Sequence, residues 1–464
     1  MKKKIFLLLL CLIILIMTGC SKDANTIENS GEAVPTGATE VATTATLPPA
    51  VQEEESAETS AMPSTTLPTP IAVTPTANAT PSHTPTVTPS LTPMSVTRMP
   101  IPEQEAGENK TRDITTMELV REMGYGINLG NTLEACGDWI NGKTPSAYET
   151  AWGSPVITRE MIQGYADAGF GVLRIPVAWS NLMVQDGNYT ISQEYTKRVK
   201  EVVDIALDTG MYVILNIHWD SGWFAEFPEK TEECMNRYIA MWVQIAEAFE
   251  DYGDKLMFES QNEELGWDSI WNPWGGSKAQ KERSYALTNE VNQVFVDVIR
   301  NSGGQNPWRH LLIAGYNTDI GRTCDELFKM PQDPANRMAV SVHYYTPSTL
   351  CILDKDASWG KAKTEWGSQA DVNELDSNMK KLQSRFIDNG VPVIVGEYGC
   401  FGSNKEREVI EHWTLTVSEA MYSIGACPVL WDTPGDEYNR SHAAFRRPEF
   451  IERLLEPLGN SAIE

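Results

Sequence analysis

Positive charge is scarce in this chain of 464 residues. Lys and Arg together number 37 against 63 Asp and Glu, which gives a formal net charge of −26 at pH 7. Nucleic acids and anionic membrane surfaces attract basic proteins and repel acidic ones. We therefore expect no nucleic-acid partner, and the acidic surface suits a protein that works outside the cell on a neutral polymer.

Cofactor motifs are also missing. None of the eight cysteines forms a Cys-x-x-Cys pair and no clustered spacing of metal ligands occurs, so we predict neither a metal nor another cofactor. The cysteines beyond residue 20 are Cys136, Cys234, Cys324, Cys351, Cys400 and Cys427. Export would permit disulfides and the even number allows three, but the spacing names no partners. For most of them a buried free thiol is the simpler interpretation.

The first 20 residues have the pattern of an export signal. Three lysines precede an apolar run over 5–17, which is short for a membrane-spanning helix. The run ends in MTGC at 17–20, which resembles a bacterial lipobox, in which the cysteine is lipidated and becomes the mature N-terminus. We predict a lipoprotein-type signal peptide at 1–20 and a lipid anchor on Cys20 as the membrane attachment of an extracellular, cell-surface protein. An ordinary cleaved signal, which would give a secreted protein, is the alternative.

Residues 21–112 are rich in Thr, Pro, Ala, Ser and Glu and contain almost no aromatic residues. Such a composition buries too little apolar surface to offset the entropy lost on folding. Its prolines favour extended conformations. We predict a disordered Thr/Pro/Ser-rich linker that holds the following domain away from the cell envelope.

Beyond residue 112 the sequence alternates short apolar runs with longer amphipathic stretches. Apolar runs without polar alternation are typical of parallel strands that are buried on both faces. The predicted strands are 124–129, 172–177, 211–217, 255–260, 310–315, 338–342, 391–395 and 426–431. Helical spacing of apolar residues occurs at 192–209, 232–249, 284–301, 371–389 and 406–424.

Eight strands, each followed by a crossover, predict an α/β fold, a (β/α)8 TIM barrel, over residues 113–464. An open doubly wound sheet is the alternative. It is weakened because no Gly-rich phosphate loop follows the first strand.

In a (β/α)8 barrel the active site lies at the C-terminal ends of the strands. The side chains expected there are Arg174, His218, Asn262, Glu263, His343, Tyr345, Glu397 and Trp431. Glu263 and Glu397, on strands 4 and 7, would face each other across the barrel mouth. Paired carboxylates in this arrangement are the machinery of a glycosidase, and their separation distinguishes retaining from inverting enzymes.

Each of these residues has a candidate role. Glu263 would protonate the glycosidic oxygen and later deprotonate a water, while Glu397 would attack the anomeric carbon. Arg174 and Tyr345 would keep Glu397 ionised and oriented. Asn262 would bind the sugar 2-hydroxyl. Trp431 would be a stacking floor beneath the sugar at the cleavage point.

Several segments at these strand ends resemble glycoside hydrolase family 5, the cellulase family. They are GINLGNTL at 126–133, LRIPV at 173–177, NIH at 216–218, FESQNE at 258–263, VHYY at 342–345, VGEYG at 395–399 and LWD at 430–432. The resemblance covers the chain from about residue 113 to its end. It implies a (β/α)8 barrel with retaining chemistry, in which Glu263 is the acid/base and Glu397 the nucleophile. For the other positions of the site, His218 and His343 among them, it implies substrate-binding or supporting roles.

The expected function is therefore that of a retaining endo-β-1,4-glucanase. Its expected partner is its polysaccharide substrate, a cellulose-like or mixed-linkage β-glucan, and the protein is expected to be a monomer. Glu264 stands where the family usually has Pro, and Trp219 where many members have a second His. Because of these departures the same chemistry on mannan, xylan or xyloglucan stays open. A non-catalytic surface lipoprotein that binds glycans is the alternative from another class.

Tryptophans in the loops after the strands allow two interpretations. Trp267, Trp271 and Trp274 follow strand 4 and would either plug the loop onto the barrel or line the cleft. The same choice stays open for Trp179 and Trp223, after strands 2 and 3.

Overall fold

The computed structural model of the protein describes residue 101 and residues 111–461. The predicted signal and anchor segment at 1–20 lies outside the described residues. So does the predicted linker at 21–112, apart from residues 101, 111 and 112. Contacts with the folded domain begin by Thr111, whose hydroxyl donates to the Gln305 side chain at 2.9 Å. Arg112 binds the Asp254 carboxylate at 2.6 Å.

Eight parallel strands form a closed barrel, which confirms the predicted fold. They run in chain order around the barrel, and β1 closes it by pairing with both β2 and β8. The strands are β1 (Gly126–Asn128), β2 (Val172–Ile175), β3 (Tyr212–Asn216), β4 (Leu256–Glu259), β5 (Leu311–Ala314), β6 (Met338–Tyr344), β7 (Val393–Tyr398) and β8 (Cys427–Leu430). A short antiparallel pair follows, β9 (Tyr438–Asn439) and β10 (Ala444–Phe445).

Helices surround the barrel and connect its strands. They are α1 (Thr116–Met123), α2 (Pro145–Glu149), α3 (Arg159–Asp167), α4 (Gln193–Asp208), α5 (Thr231–Ala248), α6 (Lys278–Arg300), α7 (Ile320–Thr323), α8 (Ser348–Cys351), α9 (Gln369–Arg385), α10 (Arg407–Ser423) and α11 (Pro448–Ser461). Short 3₁₀ turns lie at Trp223–Glu226, Asn306–Trp308, Tyr316–Thr318 and Ile387–Asn389. Within the described part of the chain, no helix combines the length and apolar character needed to cross a membrane.

The helix α4 shows how local sequence sets these elements. Ser192 caps its N-terminus by accepting a hydrogen bond from the Tyr195 backbone N–H, which satisfies a donor that has no partner inside the helix. Its buried residues, Val199, Val202 and Val203 among them, recur at helical spacing and face the barrel. The amphipathic pattern therefore predicts both the helix and the face that it buries.

The inside of the barrel has an apolar lower layer and a polar upper layer. Alternate residues of a strand point inward, so β3 places Tyr212 and Ile214 low and Asn216 at the top. The lower layer is closed from below by α1 through Leu119 and Met123. The upper layer lies at the C-terminal ends of the strands and consists of Asn128, Arg174, Asn216, Glu259 and Ser341, all fully buried.

The register of β6 and β7 is irregular at their C-terminal ends. Pairing shifts after Val342, so that His343 lies opposite Glu397. Such irregularities redirect side chains and are common beside active sites. The predicted seventh strand ended at Val395, but β7 continues to Tyr398. Gly396 and Glu397 interrupt the apolar pattern without ending the strand.

The six cysteines between residues 136 and 427 are free thiols, and all are buried except the half-buried Cys324. This agrees with the simpler of the two interpretations of their spacing.

Candidate active site

Arg174 is the centre of the polar layer. Its guanidinium is fully buried and donates from Nε to Glu259 Oε2 at 2.7 Å and from Nη1 to Glu397 Oε1 at 2.8 Å. Nη1 also donates to Asn128 Oδ1, and Nη2 to Asn262 Oδ1, both at 3.0 Å. Burial by itself would lower the pKa of Arg174, but the two carboxylates outweigh burial and raise it. Arg174 is therefore a fixed positive charge.

Glu259 is a site residue that the sequence reasoning missed. It is fully buried and accepts from Ser341 Oγ at 2.7 Å and Asn216 Nδ2 at 3.0 Å, in addition to Arg174. The signal was present in the sequence. A glutamate inside an otherwise apolar, fully buried strand needs a buried partner.

Both oxygens of Glu397 are held. Arg174 binds Oε1, and Tyr345 Oη donates to Oε2 at 2.9 Å. Burial, followed by the charge of Glu397, raises the pKa of Tyr345 well above its ordinary value, so the phenol keeps its proton and stays a donor. The carboxylate is thus fixed in orientation beside a positive charge, and it is buried except for a small exposed fraction.

Glu263 has different surroundings. Its side chain is 39% exposed, and Oε1 lies 2.7 Å from His343 Nδ1. Burial raises the pKa of Glu263, but the hydrogen bond and charge of His343 outweigh it, so the net shift is downward. His343 Nε2 is buried without a hydrogen-bond partner among the described residues.

Glu263 and Glu397 lie close together. One ligand atom from each of Glu263, His343 and Glu397 lies within 4.8 Å of the other two. Three such groups could hold a metal ion by distance alone. However, both Glu397 oxygens already accept hydrogen bonds, and the Arg174 guanidinium beside them repels a cation. Hydrogen bonds from protein side chains therefore account for the arrangement of the two carboxylates without a metal ion.

His218 follows β3 and Trp431 follows β8, and their rings lie together at the C-terminal ends of the strands. Their rings are 5.9 Å apart between centroids and nearly parallel, at 9°. Burial, followed by the charge of Arg174, lowers the pKa of His218 well below its ordinary value, so the ring is neutral. Asn216 Nδ2 must donate to the Glu259 carboxylate, and it also lies 3.3 Å from His218 Nδ1. Nδ1 is then the acceptor, which leaves the proton on Nε2.

Close packing behind Trp431 requires a glycine. A Cβ at Gly130 would lie 2.9 Å from Trp431 Cζ2 and 2.8 Å from the carbonyl oxygen of Asp432. The GINLGNTL segment therefore shapes the wall of the site, although it supplies none of the predicted site residues.

All eight predicted site residues gather at the C-terminal ends of the strands. The contacts above connect each of them to at least one other polar or aromatic residue of the site. Their assembly in one place follows from the barrel topology, which brings the ends of distant strands together.

The tryptophans divide between the two interpretations. Trp267 is buried and donates to the Phe224 carbonyl at 3.2 Å, and Trp271 packs against Tyr285 and Tyr316. Both tryptophans therefore pack the loop after β4 against its neighbours and do not line the cleft. Trp274, in contrast, is 91% exposed.

The two tryptophans that follow strands 2 and 3 are structural. Trp179 is fully buried and donates to the Asn216 carbonyl at 2.8 Å. Trp223 is buried and donates to Asp220 Oδ2 at 3.0 Å.

Glu264, one of the two departures, does not add a second full charge to the site. Burial, followed by the charge of Glu263, raises the pKa of Glu264 well above its ordinary value. Its Oε2 atom is buried without a hydrogen-bond partner among the described residues. Trp219, the other departure, is half-buried, and its carbonyl accepts from the Cys136 thiol at 3.3 Å.

A closed (β/α)8 barrel with two carboxylates at its mouth, one of them bound to a buried arginine, defines a barrel glycosidase. The chain belongs to glycoside hydrolase family 5, because the model of that family, described as cellulase (glycosyl hydrolase family 5), matches residues 134–436. The family expected from the strand-end segments is thereby confirmed.

Relatives and a solved structure agree with this family. The chain is 35% identical over 340 residues to the xyloglucan-specific endo-β-1,4-glucanase BoGH5A of Bacteroides ovatus, an alignment that covers 69% of this chain and 65% of that protein. It is 34% identical over 367 residues to endoglucanase B of Neocallimastix patriciarum, with 76% and 74% covered. A family 5 lichenase from Caldicellulosiruptor sp. F32, solved with cellotetraose, superposes with a TM-score of 0.68 at 29% identity, covering 77% of this chain and 99% of that one.

Proposed function

We propose that this protein is a retaining endo-β-1,4-glucanase that hydrolyses cellulose-like or mixed-linkage β-glucan. The observation that carries the proposal is the short distance between the carboxyl groups of Glu263 and Glu397, which have oxygens within 4.8 Å of each other. Retaining glycosidases separate these groups by about 5 Å, whereas inverting enzymes leave about 6.5–9.5 Å for a water molecule. Relatives named endoglucanase and lichenase support the substrate class.

In the first step Glu397 attacks the anomeric carbon, and Glu263 gives its proton to the departing glycosidic oxygen. Arg174 and Tyr345 hold the Glu397 carboxylate in a fixed orientation until the bond forms. Substrate covers the exposed part of Glu263. The added burial raises its pKa towards the protonated form that this step requires.

In the second step a water molecule attacks the glycosyl ester of Glu397. Forming the ester removes the negative charge of Glu397, which lowers the pKa of the nearby Glu263 and makes it a base for this water. The same residue thus serves as acid and then as base, because its neighbour changes charge between the steps.

The remaining site residues bind the sugar. Asn262 uses Oδ1 to accept from Arg174, which leaves its Nδ2 group to donate to the sugar 2-hydroxyl. His218 offers its Nε2 proton to another hydroxyl. Trp431 is half-exposed and provides a flat apolar face beneath the ring at the cleavage point. His343 orients Glu263 through the 2.7 Å contact.

Exposed tryptophans favour a long polymer as the substrate. Trp139, Trp274 and Trp359 are 57%, 91% and 45% exposed and lie in the connections that follow β1, β4 and β6. Those connections form the face of the barrel that carries the site. Large apolar rings exposed there can stack on glucose units beyond the cleavage point, as cutting within a chain requires.

Xyloglucan is the second candidate substrate, because the Bacteroides ovatus relative is named as specific for it. Purified protein should be assayed on carboxymethylcellulose, lichenan, xyloglucan, mannan and xylan, with NMR used to follow the anomer released first. We expect hydrolysis of the β-1,4-glucans with the β-anomer appearing first. Fastest cleavage of xyloglucan would establish the second candidate, and no hydrolysis of any substrate would overturn the proposal.

We also propose that the protein acts at the cell surface through a lipid on Cys20. The support is the lipobox-like pattern of the sequence, and a polymeric substrate cannot enter a cell. Cys20→Ser should move the protein from the membrane fraction of expressing bacteria to a soluble fraction. Membrane association equal to that of the parent would contradict lipidation at this cysteine.

A further inference from the structure

Arg440 is a buried arginine that lies outside the segment matched by the family model, which ends at residue 436. It follows β9, beyond the eight strands of the barrel. Its guanidinium reaches back to the two chain segments that flank the Trp431 ring. One segment follows β1 and contains Gly130, and the other follows β8 and contains Asp432.

The shortest contacts of Arg440 are with backbone carbonyls. Nη1 donates to the Gly130 carbonyl at 2.7 Å, and Nη2 donates to the Asp432 carbonyl at 2.8 Å. The Asp432 carbonyl also accepts from the Gly130 N–H at 3.1 Å. A guanidinium presents its donors in a rigid planar fork. Arg440 therefore bridges the ends of β1 and β8, which are neighbours in the barrel, in a fixed geometry.

The position of the Trp431 ring depends on these two segments. The ring packs so closely on Gly130 that a Cβ there would lie 2.9 Å from Cζ2. Trp431 also precedes Asp432 directly, so the carbonyl that Arg440 binds belongs to the adjoining residue. A change in the separation of the two segments would therefore move or tilt the ring.

An ion pair between Arg440 and Asp432 does not account for this arrangement. Nη2 lies 3.1 Å from Asp432 Oδ2, farther than either guanidinium nitrogen lies from its carbonyl. The same carboxylate accepts from the Tyr165 hydroxyl at 3.1 Å and from the Tyr438 N–H at 3.2 Å. A lysine could supply the charge that Asp432 requires, whereas two carbonyls on separate segments need the fork of an arginine.

We propose that Arg440 is a positioning residue, which fixes Trp431 beneath the sugar at the cleavage point by bridging the Gly130 and Asp432 carbonyls. Arg440 touches no reacting atom and acts through the Trp431 ring. Its effect on catalysis rests on the proposed function, in which that ring supports the sugar. Its effect on the position of the ring does not depend on that function.

Fluorine NMR tests the position of the ring without substrate. The whole protein is labelled with 5-fluorotryptophan, and the Trp431 signal is identified by its loss in Trp431→Phe. Arg440→Lys keeps the positive charge beside Asp432 but cannot bridge both carbonyls, so we expect the Trp431 signal to shift or broaden. A Trp431 signal at its parental position and width would overturn the proposal.

Two further variants support this comparison. Ser154→Ala is the matched control, because it removes a 3.2 Å contact of Arg440 Nη1 and leaves both carbonyl contacts in place. The Trp431 signal should not change in it, and a change as large as that in Arg440→Lys would contradict the role of the carbonyls. If Arg440→Lys does not fold, Arg440→Gln replaces it, since its amide can reach only one of the two carbonyls.

A double-mutant cycle tests the effect on catalysis. Arg440→Lys should lower kcat/KM on lichenan about tenfold in the parent, but less than about twofold in Trp431→Ala, where the ring through which it acts is absent. An equal loss in both backgrounds would contradict action through Trp431. A parent that hydrolyses no β-glucan would overturn the proposed function, and the NMR comparison would still decide whether Arg440 fixes the ring.

Discussion

Glu263 and Glu397 carry the same functional group in two unlike surroundings. Glu397 is buried, with Arg174 on one oxygen and Tyr345 on the other. Glu263 is partly exposed and has His343 as its polar side-chain contact. A carboxylate held by a fixed cation and a phenol is suited to attack, whereas one that solvent can reach is suited to exchange protons. Environment, and not residue type, separates the two proposed roles.

The largest effect is expected from Glu397→Gln. The amide keeps the shape of the side chain but cannot form a glycosyl ester, so kcat on lichenan should fall by at least about 10⁴-fold. Thermal unfolding should show that the fold is retained. Activity within tenfold of the parent would show that Glu397 is not the nucleophile. The proposed division of roles between the two carboxylates would then be wrong.

Glu263→Ala should lower kcat by about 10³-fold on polysaccharide, because the departing oxygen then receives no proton. The loss should be much smaller on an aryl β-glucoside with a good leaving group, and azide should restore turnover by attacking the glycosyl ester without base assistance. An equal loss on both substrates, with no response to azide, would contradict the acid/base role.

Glu259→Gln should have an intermediate effect, since Glu259 touches no reacting atom and acts through Arg174. Losing one of two anionic partners lets the guanidinium shift relative to Glu397. We expect kcat to fall roughly 10²-fold with KM little changed, and the free energy of unfolding to fall by about 3 kcal/mol.

Ser341→Ala is the matched control for Glu259, because it removes one donor to that carboxylate and leaves its charge. The expected loss in kcat is less than about tenfold. A Glu259→Gln variant with parental kcat, whatever its stability, would show that Glu259 does not position Arg174 for catalysis.

The smallest effect is expected from Glu264→Gln. The raised pKa of Glu264 means that its carboxyl is already neutral in mildly acidic solution, so the amide should leave kcat/KM unchanged there. A folded-state pKa above the ordinary value gives a stabilisation that is present at low pH and is lost as the pH rises through the raised value. Glu264→Gln should therefore become more stable relative to the parent as the pH rises. A parent and variant with parallel stability–pH curves would contradict the raised pKa.

Much of the fold follows from the sequence because a parallel barrel strand is buried on both faces and forms a continuous apolar run. All eight strands were predicted within a few residues of their positions. The end of β7 was missed because Gly396 and Glu397 interrupt that run. Glu259 was missed for a related reason, since polar residues were sought beyond the strand ends and not inside a strand.

Other features depend on contacts between distant parts of the chain. Composition cannot distinguish the buried Trp267 from the exposed Trp274, because burial depends on Phe224 and its neighbours in another loop.

The central claim is that Glu397 forms a covalent bond to the sugar. A 2-deoxy-2-fluoro-cellobioside with a good leaving group forms this ester quickly and hydrolyses it slowly, so the intermediate accumulates. Mass spectrometry of the digested protein should locate the added sugar on the peptide that contains Glu397, and the label should be absent in Glu397→Gln. A label on another residue, or an unlabelled protein that releases the α-anomer first from lichenan, would contradict the account.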